Sequence, residues 1–450
     1  MPPNNKLVPP IKIRSMFEQE LSIMYAKEVP LYGKLLPLVE EMNKSERLKT
    51  GDNLDAPLVQ EHHGAIRVGN LEELHNIARL FATMNMQAVN YYDLSAAGLP
   101  VYSTAFRDVT REGLAQNAFR VFCSVLRHDL LDDESKEIAK RQLQKRQIIS
   151  DEAFKLIELA EKQGGLTQEQ ATEFINEAKK TFKWSKNATV RKDEYENLLK
   201  KNSLLADVVS FPNPHLNHLT PRTDNIDELF TELARRGIAT TPIIQGPPAR
   251  KIPILLRQMA FQAIMEDVEF PDGKGSFVKG GHRARFGEFE TKCDAAVTPK
   301  GMELYNNLLS EVKARVNDSD PDYTKVIHEV FDAYPDNLDD LRKQQLIYLN
   351  YFVTDKAKNY KGNPPSDFEE LIKQGFVFYE PVHYHDFLPV SAAGIFKSNL
   401  KEGGFIETAQ IENKQAEFES GLGYSVISAF DLYAKQEADS ILEVKEKFNS

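Results

Sequence analysis

Residues 63–74 read HGAIRVGNLEEL, and a related stretch, HLTPRTDNIDEL, follows at residues 218–229. The two stretches align without a gap over twelve residues at an offset of 155, and five positions are identical. These identities include a histidine, an arginine four residues later and an asparagine three residues after that. Similarity at a fixed offset indicates a structural unit that occurs twice in the chain. Each copy carries one histidine, His63 in the first and His218 in the second.

Each copy is expected to form a strand followed by a helix. His63 and Arg67 would share one face of an extended strand, about 13 Å apart. Asn70 and Asn225 are good N-cap residues, and an acidic residue three positions later favours the start of a helix. Apolar residues then recur at helical spacing, at Leu71, Leu74, Ile77, Ala78 and Phe81 in the first copy and at Ile226, Leu229, Phe230 and Leu233 in the second.

Hydrophobic periodicity predicts one large α+β domain over residues 1–450. Its parts are a first βαβββ unit at 55–110, a charged helical insertion at 111–205, a second unit at 206–300, and a last part at 301–450. In the second unit, strands are predicted at 238–244, 252–263 and 276–292. The last part is predicted to be helical, with a C-terminal strand and loop that complete the site.

Composition narrows the class of protein. The 450 residues include 56 basic and 67 acidic ones, and the net charge of −11 argues against a nucleic-acid surface. Two cysteines cannot form a disulfide framework, and no apolar run approaches the roughly 20 residues of a membrane span. The proline-rich start, MPPNNKLVPP, lacks the apolar segment of a secretory signal. We expect a cytoplasmic protein with no nucleic-acid or membrane partner, and its oligomeric state is left open.

One histidine from each copy suggests a metal bound between the copies. Two imidazoles and one carboxylate form the facial set that leaves coordination positions open on Fe(II). The stretch RARFGEFE at residues 283–290 is the best source of the carboxylate. In a strand, Glu288 and Glu290 lie on the same face, so periodicity allows either one. We take Glu288 as the candidate ligand and Glu290 as the alternative.

The other histidines and Arg67 also have interpretations that do not involve metal or substrate binding. His62 and His215 lie beside the candidate ligands but outside the repeat, which favours a supporting or structural role. His383 and His385 alternate as on a strand, although Pro381 and Asp386 make a loop equally compatible. An arginine on a strand usually balances a nearby acid. Arg67 shares a strand face with a candidate ligand, and its guanidinium can bind a carboxylate through two hydrogen bonds.

Several long motifs resemble the 2-oxoadipate dioxygenase/decarboxylase family. They are HGAIRVGNLEEL, YYDLSAAGLPVYSTAFR, FPNPHLNHLTPRTDNIDEL, RARFGEFE with VTPKGMELY, and DFLPVSAAGIF, and they span nearly the whole chain. The resemblance implies a vicinal-oxygen-chelate fold, in which paired βαβββ units form a curved mixed sheet around the metal. It also implies Fe(II) bound by His63, His218 and Glu288. The family's substrate contacts fall on Arg67, Val390 and Ser391.

The resemblance further implies an activity, the conversion of 2-oxoadipate and O₂ into 2-hydroxyglutarate and CO₂ in lysine degradation. The 2-oxo acid end of the substrate and O₂ would use the open positions on the metal, and Arg67 would bind the distal carboxylate. Two other classes fit the residues. A metal-dependent lyase or isomerase could use the same ligands without O₂, and a non-catalytic protein could bind a small molecule on the same fold.

Overall fold

The computed structural model describes residues 6–261, 263–291, 294–362, 364–388 and 413–449. Its contacts divide the chain into two compact units. The larger unit takes in the described parts of Met1–Gln245, Gln258–Glu290 and Pro389–Ile427. The smaller unit takes in those of Gly246–Arg257, Thr291–Leu388 and Ser428–Ser450. No helix in the described part of the chain is long and apolar enough to cross a membrane.

Eleven strands occur in the described residues. They are β1 Glu61–Val68, β2 Gln87–Asp93, β3 Val101–Arg107, β4 Arg120–Leu126, β5 His218–Thr223, β6 Gln258–Ala260, β7 Glu266–Pro271, β8 Phe277–His282, β9 Phe286–Thr291, β10 Leu349–Val353 and β11 Val377–Pro381. Seven of them form one sheet in the order β2-β3-β4-β1-β5-β9-β6, and β7-β8 and β10-β11 are separate two-stranded sheets.

The helices are α1 Pro10–Glu28, α2 Pro30–Thr50, α3 Leu71–Ala82, α4 Arg111–Gln116, α5 Asp133–Leu143, α6 Asp151–Gln163, α7 Gln168–Thr181, α8 Lys192–Lys201, α9 Ser203–Ser210, α10 Ile226–Arg235, α11 Pro299–Arg315, α12 Tyr323–Phe331, α13 Leu338–Lys343, α14 Asp355–Lys358, α15 Phe368–Lys373, α16 Gln415–Leu422 and α17 Ala429–Asn449. Together with the mixed sheet they confirm the predicted α+β class.

The first strands of the two copies lie side by side at the middle of the large sheet. β1 pairs with β4 in parallel and with β5 in antiparallel orientation. In the β1–β5 register, His63 faces Thr220 and Ala65 faces His218. The two histidines are therefore two positions apart along the same ladder, and their side chains point to the same face of the sheet.

The predicted helix starts are confirmed. The side chain of Asn70 accepts a hydrogen bond from the backbone N–H of Glu73 at the start of α3, and Asn225 does the same with Glu228 at α10. The apolar residues of α3 join the main core with those of α1 and α7. Burying one such Leu, Ile or Phe stabilises the fold by about 1.5–3 kcal/mol, which fixes α3 against the sheet.

Two parts of the predicted secondary structure were wrong. Residues 120–126 form β4, although they lie inside the stretch 111–205 that we predicted to be helical. In the second copy, residues 238–244 form no regular strand, and only Gln258–Ala260 of the predicted strand 252–263 is extended. Prolines at 242, 247, 248 and 253 remove backbone donors there and limit strand pairing. The predicted strand 276–292 is two strands, β8 and β9. The division into domains stays a prediction.

Candidate metal centre

His63 and His218 meet across the β1–β5 pairing. Their Nε2 atoms are 3.3 Å apart, and the two rings are perpendicular, with centroids 5.2 Å apart. Both side chains are buried. The duplicated sequence therefore brings one imidazole nitrogen from each copy to a common point.

Glu288 on β9 completes a group of three. Its Oε1 lies 3.4 Å from Nε2 of His63, and its Oε2 lies 3.5 Å from Nε2 of His218. One ligand atom from each residue lies within 4.8 Å of the others. Donors about 2.1 Å from a metal and at right angles to one another are about 3 Å apart. The three side chains could therefore hold one ion on one face with little movement.

Glu290 is engaged elsewhere. Arg120 on β4 donates to both of its oxygens, from Nη1 to Oε1 at 3.0 Å and from Nη2 to Oε2 at 2.9 Å. Nδ1 of His62 lies 2.8 Å from Oε1, and Nδ1 of His63 lies 3.1 Å from Oε2. Glu290 thus contacts the far side of the His63 ring. A carboxylate there orients a metal-binding imidazole so that its other nitrogen faces the ion.

A β-bulge explains how adjacent residues of one strand reach the same carboxylate. The β1–β5 register shifts between Glu61 and His63. Neighbouring side chains of a regular strand point to opposite faces, but a bulge rotates one of them. His62 therefore contacts Glu290 together with His63, and its supporting role stays a prediction.

The two carboxylates differ in charge environment. Burial alone would raise the pKa of Glu290, but the Arg120 guanidinium holds that pKa well below its usual range. Burial raises the pKa of Glu288, whose Oε1 accepts a hydrogen bond from the uncharged Gln258 at 2.6 Å. A cation between the donors would favour ionised Glu288, so its surroundings fit a metal ligand better than those of Glu290 do.

Burial also lowers the pKa of His218 well below its usual range, and the nearby His63 and Arg67 add to the effect. Desolvation therefore keeps this imidazole neutral, which is the form that binds metal ions.

Arg67 lies on β1 and is buried, but its described contact is with a protein carboxylate. Nη1 of Arg67 donates to Oδ2 of Asp207 on α9 at 2.5 Å. The other oxygen of Asp207 accepts a hydrogen bond from Nε2 of His282 at 2.9 Å, and Nε2 of His215 lies 3.1 Å from it. His215 therefore belongs to the surroundings of Arg67 rather than to the three donors.

Four residues considered in the sequence remain. Val390 and Ser391 are outside the described residues. His383 and His385 belong to the smaller unit, just beyond β11, with ring centroids 6.3 Å apart.

Sequence reasoning missed three supporting residues, Arg120, Gln258 and Asp207. A signal existed for Asp207, because an acid inside the apolar run LLADVV must be paired if it is buried. The run RVFCSVL at residues 120–126 has the composition of a strand and could have identified β4.

Fold and site together define a candidate metal-dependent enzyme, in which two related strand–helix copies place two imidazoles beside a carboxylate. The sequence model of the 2-oxoadipate dioxygenase/decarboxylase family matches residues 17–399, and the chain belongs to this family. The resemblance read from the motifs is therefore confirmed.

Individual relatives are similar to this chain along almost its full length. The chain is 43% identical to the 2-oxoadipate dioxygenase/decarboxylase of Pseudomonas putida in an alignment 465 residues long that covers 99% of each chain. It is 42% identical to that of Escherichia coli over 442 residues, covering 95% of this chain and 97% of the relative. The crystal structure of hydroxyglutarate synthase from P. putida in complex with 2-oxoadipate is similar at a TM-score of 0.88 and 41% identity, covering 99% of this chain and 100% of that one.

Proposed function

We propose that this chain is an Fe(II)-dependent dioxygenase that converts 2-oxoadipate and O₂ into 2-hydroxyglutarate and CO₂. The observation that carries the proposal is the convergence of His63, His218 and Glu288 on one buried point in a member of this family. The 2-oxoadipate bound to the P. putida relative supports the choice of substrate.

The donor set fits iron. Two imidazoles and one carboxylate on a single face are typical of non-haem Fe(II) oxygenases, in which the open positions receive substrate and oxygen. When bound, the metal would supply the affinity for the 2-oxo acid and the activation of O₂. The protein residues supply position, charge and exclusion of water.

Glu290 and Gln258 would hold the ligands in place. Glu290, fixed by Arg120, lies against Nδ1 of His63 and favours the tautomer that turns Nε2 toward the ion. The amide of Gln258 donates to Oε1 of Glu288 and restrains its carboxylate. All these side chains are buried, so few water molecules would compete with the substrate.

At the other end of the substrate, Arg67 would bind the distal carboxylate. A guanidinium is a permanent cation whose planar set of five N–H donors matches the geometry of a carboxylate. The family resemblance adds Val390 and Ser391 as further substrate contacts. Binding both ends would present a single carbon for hydroxylation.

The reaction balances with one O₂ per turnover. C1 leaves as CO₂, C2 becomes a carboxylate that gains one oxygen atom, and the former C3 receives the other as a hydroxyl group. A five-carbon hydroxy dicarboxylate results, and no separate 2-oxo acid is consumed.

The test is O₂ uptake by the Fe(II)-loaded protein with 2-oxo dicarboxylates of increasing length, together with product analysis. We expect stoichiometric O₂, CO₂ and 2-hydroxyglutarate from 2-oxoadipate. Turnover without O₂ uptake would indicate a lyase or isomerase. Binding of the substrate without any turnover would indicate a non-catalytic binding protein.

A further inference from the structure

We propose that Asp207 is a positioning residue for substrate recognition, and that it fixes Arg67 so that the site prefers 2-oxo acids with a second carboxylate. The inference rests on the proposed function, because it assigns the distal carboxylate to Arg67.

The Arg67–Asp207 pair is short and shielded from water. Nη1 and Oδ2 are 2.5 Å apart, and 2% and 3% of the two side chains are exposed. Asp207 lies in α9, in which every residue is buried. A buried carboxylate is stable only when it is paired, so this helix holds Asp207 in contact with Arg67.

Asp207 is itself held from several elements. His282 at the end of β8 donates from Nε2 to Oδ1 at 2.9 Å, and Nδ1 of His282 lies 2.9 Å from the hydroxyl of Tyr195 on α8. Asn217, just before β5, donates to Oδ2 at 3.2 Å. The carboxylate therefore has a fixed orientation, which restricts the long and flexible side chain of Arg67.

The equivalent arginine of the second copy lacks a comparable arrangement. Nε of Arg222 lies 3.7 Å from Oδ1 of Asp224, and 24% of its side chain is exposed. Asp224 is instead bound by Nε of Arg47 at 2.7 Å. Of these two equivalent arginines, Arg67 alone is part of a buried network among the described residues, which indicates a specific use for its position.

Asp207, His215 and His282 could also form a metal site, since one ligand atom from each lies within 4.8 Å of the others. The charges argue against it. The only carboxylate of this group is already paired with the Arg67 cation, and a divalent ion would repel that guanidinium.

The test compares two six-carbon 2-oxo acids, 2-oxoadipate and 2-oxohexanoate, which differ only in the distal carboxylate. Their affinities for the Fe(II)-loaded protein are measured by calorimetry without O₂, in wild type, Asp207→Asn and Asp224→Asn. Asp224→Asn is the matched control, because it also breaks a buried arginine–aspartate pair, at 2.7 Å with Arg47.

We expect Asp207→Asn to weaken 2-oxoadipate binding about tenfold or more, and 2-oxohexanoate binding less than about twofold. Asp224→Asn should leave the ratio of the two affinities unchanged. Three results would overturn the inference: no preference for 2-oxoadipate in wild type, equal losses on both acids in Asp207→Asn, or the same change in Asp224→Asn. A preference that depends on Asp207 in a protein that takes up no O₂ would refute the proposed dioxygenase activity alone.

A second variant covers the case in which Asp207→Asn does not fold. His282→Phe keeps a ring beside Trp184 and Phe211 but removes the donor to Asp207. We expect a smaller loss of the same preference, and an unchanged preference would overturn the inference. Metal content is measured on each variant, and loss of a second equivalent of metal in either one would show that the cluster is a metal site.

Discussion

Replacing Arg120 by methionine would test how the candidate ligands are held. The variant keeps a long side chain in β4 but removes the two hydrogen bonds, at 3.0 and 2.9 Å, that neutralise Glu290. Only 2% and 1% of the two side chains are exposed, so solvent screens the pair very little. Glu290 would remain as a buried charge beside His62 and His63.

Two effects of different size follow. Breaking a buried ion pair on one side costs about 3–5 kcal/mol of unfolding free energy, because the remaining charge is uncompensated. Loss of a group that orients a metal-binding imidazole weakens metal affinity about ten- to hundredfold. The double variant Arg120→Met/Glu290→Gln removes the lone charge and should recover most of the stability. It should not recover the metal affinity, because His63 still lacks its carboxylate.

Urea unfolding of the metal-free protein and competition with an iron chelator measure the two quantities. Arg14→Met is the control, since it breaks an equally buried pair with Asp108 at 2.7 Å that makes no described contact with the three donors. The control should lose stability but keep its metal affinity. A double variant that regains metal affinity together with stability would refute the orienting role of Glu290.

Three further predictions follow from the site and the core. Glu288→Ala should abolish stoichiometric iron binding, whereas Glu290→Gln should retain it with about ten- to hundredfold lower affinity, as measured by metal analysis and chelator competition. Arg67→Lys should lower kcat/KM for 2-oxoadipate about ten- to hundredfold and affect a 2-oxo monocarboxylate much less, and equal losses would contradict its role. Burial raises the pKa of Glu18 to about 7, so between pH 5 and pH 8 this group should remove up to about 3 kcal/mol of unfolding free energy as the pH rises. In the Glu18→Gln variant, the unfolding free energy should therefore decrease less between pH 5 and pH 8. Urea unfolding at the two pH values measures the difference.

The first copy could be predicted from sequence because its signals are local. An N-cap, a helical apolar face and alternating strands are each encoded within about ten residues. Asn70 begins α3 as expected, and β2 and β3 follow it within residues 55–110.

The contacts around the candidate ligands are not local, and this is why they were missed. Arg120 and Glu290 are 170 residues apart in sequence, and Arg67 and Asp207 are 140 apart. No periodicity links such residues, because their proximity depends on the order of strands in the sheet and on the helices packed against it. For the same reason, the sequence could not distinguish Glu288 from Glu290 as the metal ligand. The two carboxylates differ in the side chains of neighbouring strands that they contact.

The sheet order also explains how a duplicated unit forms an asymmetric site. β1 and β5 are paired at the centre and supply equivalent histidines, while β4 flanks β1 and β9 flanks β5. The residue of β4 opposite His63 is Arg120, a cation, whereas β9 supplies two carboxylates. Arg120 pairs with Glu290 and removes it from the candidate ligands, so only Glu288 remains beside the two imidazoles. A carboxylate from each flank would have added a fourth protein ligand and left fewer positions for substrate and O₂. The difference between the flanking strands, rather than between the histidine strands, therefore leaves three candidate donors, a set that would keep positions open on a bound metal.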